Sequence, residues 1–150
     1  MKYYILILFN LFLISAYCQE SKHIKGKKFD GYIFDKIHFV FMSIENQKER
    51  YTPSSQDIFL SEALLRDSIN SMQVSINKRM LKKYVRQYVG FITNNDEIVV
   101  FIKFFKKSYF DKTWLSNDVI DVMDGGSDFW SIFVNVTKRE LYDLQVNGIS

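Results

Sequence analysis

Cysteine and histidine are scarce in this sequence: Cys18 is the only cysteine among 150 residues, and there are two histidines. A disulfide joins two cysteines, and a structural zinc site of the usual kind takes four Cys or His ligands. Scaffolds held together by disulfides within one chain are therefore excluded, and a zinc centre built from Cys and His is nearly excluded as well.

Proline and glycine are also rare, with one proline and six glycines. Collagen-like and low-complexity chains, which are rich in these residues, are thereby excluded. Hydrophobic residues make up 47% of the chain and charged residues 25%, which is the balance of a globular protein with the length of one domain. The formal net charge of +3 is too small by itself to indicate a nucleic acid or an anionic membrane as partner.

The first 18 residues have the pattern of a secretory signal peptide. Lys2 provides a short positive region, residues 3–13 are almost wholly apolar, and small residues follow before the sequence turns polar at Gln19. The apolar run is shorter than the ~20 residues of a membrane-spanning helix. We therefore predict cleavage after Cys18 and a periplasmic or secreted mature chain without an integral membrane span. Retention of this segment as an anchor is the disfavoured alternative.

Cys18 leaves a second alternative open, a lipoprotein anchored through that cysteine. A lipid-modified cysteine resembles the known lipobox only where small residues directly precede it, and here the bulky Tyr17 does. Loss of Cys18 with the signal peptide is therefore favoured. The mature chain would then contain no cysteine, and its stability would have to come from its core.

After the signal peptide we predict a flexible arm and one folded domain. Residues 19–28 are polar and rich in lysine, which indicates the arm, and residues 29–150 form the domain. Aromatic and β-branched residues in 29–44 predict one strand or two short ones. The second half of this stretch alternates, with one face formed by Ile37, Phe39 and Phe41.

One long helix is predicted over residues 54–72, after a charged loop at 45–51. Pro53, the hydroxyl side chains that follow it and the acidic Asp57 are typical of a helix start. Apolar residues at near-helical spacing predict the face that packs on a sheet, while Glu62 falls on the solvent side. That packed face contains Ile58, Leu65 and Ile69.

The second half of the chain has the composition of β-strands separated by turns. Strands are predicted at 84–93, 97–107, 119–123, 129–136 and 141–147. Asn and Asp at 94–96 and two glycines at 124–127 suit positive φ, so both turns are expected to reverse the chain between strands. The predicted fold class is α+β, with one long helix packed on a curved antiparallel meander of about four to five strands, a cystatin-like roll by analogy.

Several stretches of this half resemble a group of small exported bacterial proteins of unassigned function. They are RQYVGF at 86–91, IKFF at 102–105, VMDGG at 122–126, FW at 129–130, VNVT at 134–137 and VNG at 146–148. The similarity extends over about residues 51–149 and implies a shared fold, but no activity, ligand or catalytic residue. Cystatins inhibit cysteine proteases through a Gln-x-Val-x-Gly loop. The two similar stretches here, at 87–90 and 145–148, are each one residue short of it, so inhibition is not implied.

The sequence carries no recognisable catalytic or metal-binding motif. His23 and His38 are isolated, and there is no Gly-x-Ser-x-Gly, phosphate-loop or HExxH motif. Four aspartates cluster around the turn at 124–127, namely Asp118, Asp121, Asp124 and Asp128. Turn chemistry explains them better than a calcium site or an acid–base pair. We therefore assign no catalytic residue, metal or cofactor, and keep a carboxylate-dependent enzyme acting near Asp121 and Asp124 as an alternative.

Basic and aromatic residues interleave between residues 78 and 112. Such a mixture can bind single-stranded nucleic acid, but acidic residues elsewhere nearly cancel the charge, and export removes most nucleic-acid partners. Lysines that discourage pairing at a sheet edge are the simpler explanation. The weak candidates for ligand binding are Lys82, Arg86, Tyr88, Lys103 and Phe105.

The functional prediction is an exported, non-enzymatic binding or interaction domain of the bacterial cell envelope. Its partner would be an unknown protein or envelope component, not a nucleic acid, bound through the sheet face or the basic edge. The alternatives are the carboxylate-dependent enzyme and a purely structural envelope protein.

Overall fold

The computed structural model describes residues 21–72, 76–109 and 111–148. The predicted signal peptide, its cleavage point and Cys18 lie outside the described residues. Within them, no helix combines the length and the apolar composition needed to cross a membrane.

The described part of the chain contains seven strands, two α-helices and two 3-10 helices. The strands are β1 (Lys22–Lys25), β2 (Asp30–Phe34), β3 (Gln47–Tyr51), β4 (Tyr84–Thr93), β5 (Ile98–Lys106), β6 (Phe129–Asn135) and β7 (Glu140–Val146). The helices are α1 (Ser55–Ser68), α2 (Lys112–Asn117), η1 (Met80–Lys83) and η2 (Gly126–Asp128). Four of the five strands predicted in the second half are confirmed to within a residue at each end, as β4 to β7.

All seven strands join one mixed sheet, in which β1-β2-β4-β5-β6-β7 are successive neighbours. β2 pairs in parallel with the first half of β4, and β3 pairs antiparallel with its second half. The remaining pairs are antiparallel. The predicted fold class is therefore wrong: the sheet has seven strands, includes a parallel pair, and carries only one helix of more than six residues in the described chain.

β1 and β3 were not predicted from the sequence, because both strands are short and polar. β1 buries only Ile24, and β3, with the sequence QKERY, has no fully buried residue. Each is held by backbone hydrogen bonds to one neighbouring strand, which composition does not reveal. The predictions of a flexible arm at 19–28 and a loop at 45–51 are wrong at these strands.

The helix prediction is confirmed in its start and its buried face, but the helix ends at Ser68, before the predicted residue 72, and its opposite side differs from the prediction. The Ser54 hydroxyl accepts the Asp57 N–H at 3.2 Å, and the Asp57 carboxylate accepts the Ser54 N–H at 2.8 Å, which forms a capping box. Glu62, expected in solvent, is only 4% exposed and faces the sheet. The predicted face is fully buried at Ile58, Leu65 and Ile69.

Each face of the sheet carries a hydrophobic core. The face under α1 includes Tyr88, Ile102 and Trp130. The opposite face has no long helix over it within the described residues, and is covered instead by residues 40–44, α2 and residues 119–122. Its centre includes Val89, Phe101 and Phe133.

Residues 37–44 alternate as predicted, but they form no strand, because only β2 lies within the stretch 29–44. The side chains that pack against the second core are Val40, Met42 and Ile44. The face named from the sequence is the exposed one, with exposures of 66%, 68% and 98% at Ile37, Phe39 and Phe41 respectively. Both sets are apolar, so the sequence pattern does not distinguish them, and a shift of one residue exchanges them.

The glycine turn is confirmed in its backbone conformation but not in its context. Gly125 has φ 99° and Gly126 has φ 54°, both in the left-handed region. Residues 119–123 form no strand, however, so the turn leads from a loop into η2 and β6. The hairpin predicted over 119–136 is therefore wrong.

Candidate functional site

The five candidate ligand-binding residues do not come together in the structure. Lys82 is exposed in η1, at the end of the sheet where β4 begins. Arg86 and Tyr88 are fully buried beneath α1, with 0% exposure. Lys103 and Phe105 point to the opposite face, where the Lys103 ammonium lies 2.9 Å from an Asp121 carboxylate oxygen.

Arg86 and Tyr88 belong to a buried polar cluster that fastens α1 to the sheet. One carboxylate oxygen of Glu62 accepts the Arg86 Nε–H and the Tyr88 hydroxyl, each at 2.9 Å. Arg86 also donates to the Tyr84 carbonyl at 2.7 Å and lies over the ring of Phe104. Burial and the nearby Glu62 carboxylate raise the pKa of Tyr88 well above its ordinary value. These contacts leave neither Arg86 nor Tyr88 accessible to a ligand.

An open cleft beside the first half of β4 gathers lysines from three parts of the chain. We call it the basic cleft; its volume is about 220 Å³. The hairpin between β1 and β2 and the segments at the start of β4 and the end of β5 line it. The basic side chains are Lys25, Lys27, Lys28, Lys82 and Lys107, and the remaining lining residues are Gly26, Phe29 and Asp30.

A tight hairpin turn fixes three of these lysines. The Gly26 N–H donates to the Phe29 carbonyl at 3.0 Å, which closes the turn, and Phe29 is buried under α1 against Phe59 and Tyr88. A Cβ at Gly26 would overlap the Phe29 ring, so any other residue there would displace that ring. The turn therefore projects Lys27 and Lys28 from an anchored base.

A second, larger cavity adjoins the basic cleft and shares Lys28 and Lys82 with it. Its volume is about 560 Å³, and Lys78, Arg79 and two asparagines complete its lining. Asn77 organises this wall, because its side-chain oxygen accepts the Arg79 N–H at 3.0 Å. The two cavities together form a continuous basic surface at this end of the sheet.

The lysines of the basic cleft have no acidic partner among the residues that the structure describes. Within the described residues, none of its five lysine side chains lies within ion-pair distance of a carboxylate. The one carboxylate in the lining, Asp30, accepts a hydrogen bond from His23 at 2.6 Å. Elsewhere Lys48, Lys103 and Lys106 each pair with an aspartate within 2.9 Å. In the described part of the chain, the cleft therefore brings five lysines together with one carboxylate, and its lining has an excess of positive charge.

Three of the four aspartates that were considered for catalysis, and both histidines, are engaged in separate pairs, whereas among the described residues Asp124 accepts a hydrogen bond from Asn147 only through its backbone carbonyl. Lys106 donates to Asp128 at 2.9 Å and lowers the pKa of that carboxyl, and Lys103 pairs with Asp121. His38 contacts Asp118 at 3.4 Å, and neither histidine bonds a hydroxyl nucleophile in the described chain. Within the same residues, no three His, Cys, Asp or Glu side chains are grouped so as to hold a metal ion.

Sequence reasoning missed most of the basic cleft because it placed Lys25, Lys27 and Lys28 in a detached arm. The available signal was the stretch KGKKF at 25–29, a glycine among lysines followed by an aromatic residue, which is compatible with a hairpin turn. Lys82 lies more than fifty residues further on, and only the parallel pairing of β2 with β4 brings it alongside.

No protein-family model matches the chain, and neither the curated proteins nor the solved structures contain a significant match. Nothing in these comparisons or in the described residues indicates an enzyme.

Proposed function

We propose that the protein is an exported, non-enzymatic binding domain that holds an anionic component of the bacterial cell envelope in its basic cleft. The observation that carries the proposal is the convergence of five lysines, none paired with a carboxylate in the described chain. Like charges close together repel, and a bound anion relieves that repulsion.

The type of cation favours a ligand whose charge is spread over several groups. Lysine ammonium groups are compact point charges on flexible side chains, whereas the planar guanidinium of arginine forms bidentate hydrogen bonds with a single phosphate or carboxylate. All the basic side chains that line the basic cleft are lysines, and the adjoining cavity adds Lys78 and Arg79. A chain or surface that carries repeated phosphates or carboxylates can contact both cavities at once.

The expected location supports an envelope ligand. The signal-peptide pattern of the first 18 residues and the resemblance to small exported bacterial proteins both favour a mature chain outside the cytoplasm. Anionic polymers and phospholipid headgroups are the polyanions that such a protein would meet. Nucleic acid remains the disfavoured partner for the same reason.

The test is binding of soluble polyphosphate, and of phosphatidylglycerol vesicles against neutral phosphatidylcholine vesicles. The variant Lys27→Glu/Lys28→Glu should weaken binding at least about tenfold, because it reverses two charges of the cleft. Binding by the unaltered protein should also weaken steeply as salt rises. Preference for polyphosphate indicates a soluble polymer, and preference for anionic vesicles indicates a headgroup.

The matched control is Lys36→Glu/Lys112→Glu, which makes the same change in net charge at exposed, unpaired lysines outside the cleft. Equal losses in the two double variants would mean that only net charge matters, and the proposed site would be rejected. Absence of binding to every probe at low salt would reject the proposed function.

A further inference from the structure

A separate cavity of about 470 Å³ lies on the face of the sheet opposite α1, beside α2. We call it the α2 cavity; its lining comprises Trp114, Asn117, Asp118, Val119, Ile120 and Asp121. It shares no lining residue with the basic cleft and carries the opposite charge, so the proposed function does not account for it.

The wall of the α2 cavity is held by a buried side chain of the sheet. Gln87, with 0% exposure, donates to the carbonyls of Leu115 and Asp118 at 2.9 and 2.7 Å. Its side-chain oxygen accepts the Ile120 N–H at 3.0 Å. Three hydrogen bonds from one buried amide fix the loop after α2, so the cavity is pre-formed and not a gap in a loose loop.

Trp114 is the largest apolar side chain in the cavity lining, and 68% of it is exposed. α2 turns the neighbouring Leu115 into the second core, where it is 1% exposed, so the helix has its anchor without the indole. Because the indole is exposed, it contributes little burial energy to folding. Tryptophan is also enriched at binding sites. Most of the Trp114 surface is accessible to a ligand.

The polar groups around the indole combine donors and acceptors. Asn117 supplies both kinds, and Asp118 and Asp121, whose side chains are 78% and 83% exposed, supply carboxylate oxygens. Lys103 compensates the charge of Asp121 at 2.9 Å. Anions are disfavoured by the carboxylates, whereas hydroxyl groups, which donate and accept, suit this mixture.

We infer that the α2 cavity binds a neutral saccharide. A sugar ring has an apolar face of C–H groups that can pack on the indole, and an edge of hydroxyls that can bond Asn117 and Asp118. His38, from the segment between β2 and β3, contacts Asp118 at 3.4 Å at the edge of the cavity.

The test is titration of the full mature chain with chitotetraose and with maltoheptaose, followed by tryptophan fluorescence and by NMR line shifts. The chain has two tryptophans, of which Trp130 is buried, so the fluorescence change should come from Trp114. Trp114→Ala should weaken binding at least about tenfold, Trp114→Phe less, and Asp118→Asn should also weaken it. Circular dichroism of each variant verifies folding.

The variant Lys27→Glu/Lys28→Glu should bind the saccharide as well as the unaltered protein does, which separates this inference from the proposed anion site. The inference is overturned if neither oligosaccharide shifts any resonance at 10 mM, or if Trp114→Ala binds with unchanged affinity. Binding of tetramethylammonium in place of both sugars would also overturn it, because it would identify the cavity as a cation site.

Discussion

Replacing Glu62 by alanine should destabilise the protein by about 3–5 kcal/mol, the cost of breaking a buried ion pair by removing one partner. The carboxylate accepts two hydrogen bonds of 2.9 Å, from Arg86 and Tyr88, and all three side chains are at most 5% exposed. Without it, the guanidinium keeps only its bond to the Tyr84 carbonyl and its contact with Phe104. A loss of this size is a large part of the total stability of a small domain.

The measurement is urea unfolding followed by circular dichroism, with the midpoint and slope fitted separately. Asp67→Ala is the matched control, because Asp67 is also on α1 but makes only an exposed contact of 3.7 Å with Lys78. It should cost less than about 1 kcal/mol. If Glu62→Ala is as mild as Asp67→Ala, the buried cluster does not exist as described.

A third variant distinguishes the effect of leaving Arg86 as an unpaired buried charge from the effect of removing side-chain volume at position 62. Glu62→Leu/Arg86→Met replaces both charges by apolar side chains and should be clearly more stable than Glu62→Ala, because no unpaired charge stays buried. If the double variant is less stable than Glu62→Ala, the ion pair contributes net stability beyond that of an apolar contact.

Three further predictions follow from the same structure. Leu65→Ala should cost about 2–5 kcal/mol in urea unfolding, because Leu65 is 0% exposed between α1 and the sheet; a cost under about 1 kcal/mol would contradict that burial. Gly125→Val should cost more than about 1 kcal/mol, since Gly125 has φ 99° and a Cβ there would overlap the Phe129 ring; Gly148→Val, where a Cβ meets nothing, is the control. The hydrogen bond from Lys106 lowers the folded-state pKa of Asp128, so the stabilisation by this pair is present above the unfolded-state pKa and is lost as pH falls through the lowered value. Asp128→Asn should therefore lower the unfolding midpoint at pH 7 and flatten the fall of that midpoint between about pH 4 and 2. Parallel pH profiles for the two proteins would refute this.

Local signals sufficed for the elements whose own residues determine them. The helix was predictable because Ser54 and Asp57 cap it and its buried face repeats at helical spacing. β4 and β5 were predictable because both are long, rich in β-branched and aromatic residues, and joined by a tight turn in which Asp96 has φ 59°.

Elements that depend on distant partners were not predictable. β1 and β3 are polar, and only their pairing with β2 and β4 makes them strands. From the sequence alone, Glu62 is expected to face solvent, and its burial is explained only by Arg86 lying opposite it in the structure. The basic cleft is of the same kind, because Lys28 and Lys82 meet only through the parallel pairing of β2 with β4. Hydrophobic periodicity carries no information about such pairings.

The sharing of one edge of β4 between β2 and β3 imposes an order of assembly. The β4–β5 hairpin closes over a short turn, whereas the Phe34–Val89 pairing closes a loop of more than fifty residues. β2 and β3 must wait for β4 before they join the sheet, and β1 joins it only through its local hairpin with β2. A chain made from its N-terminus nevertheless exposes all three first. We expect pulsed hydrogen exchange to protect β4 and β5 amides before those of β2, and the waiting segment, with its aromatic residues, to be the part of the newly emerged chain most prone to aggregate.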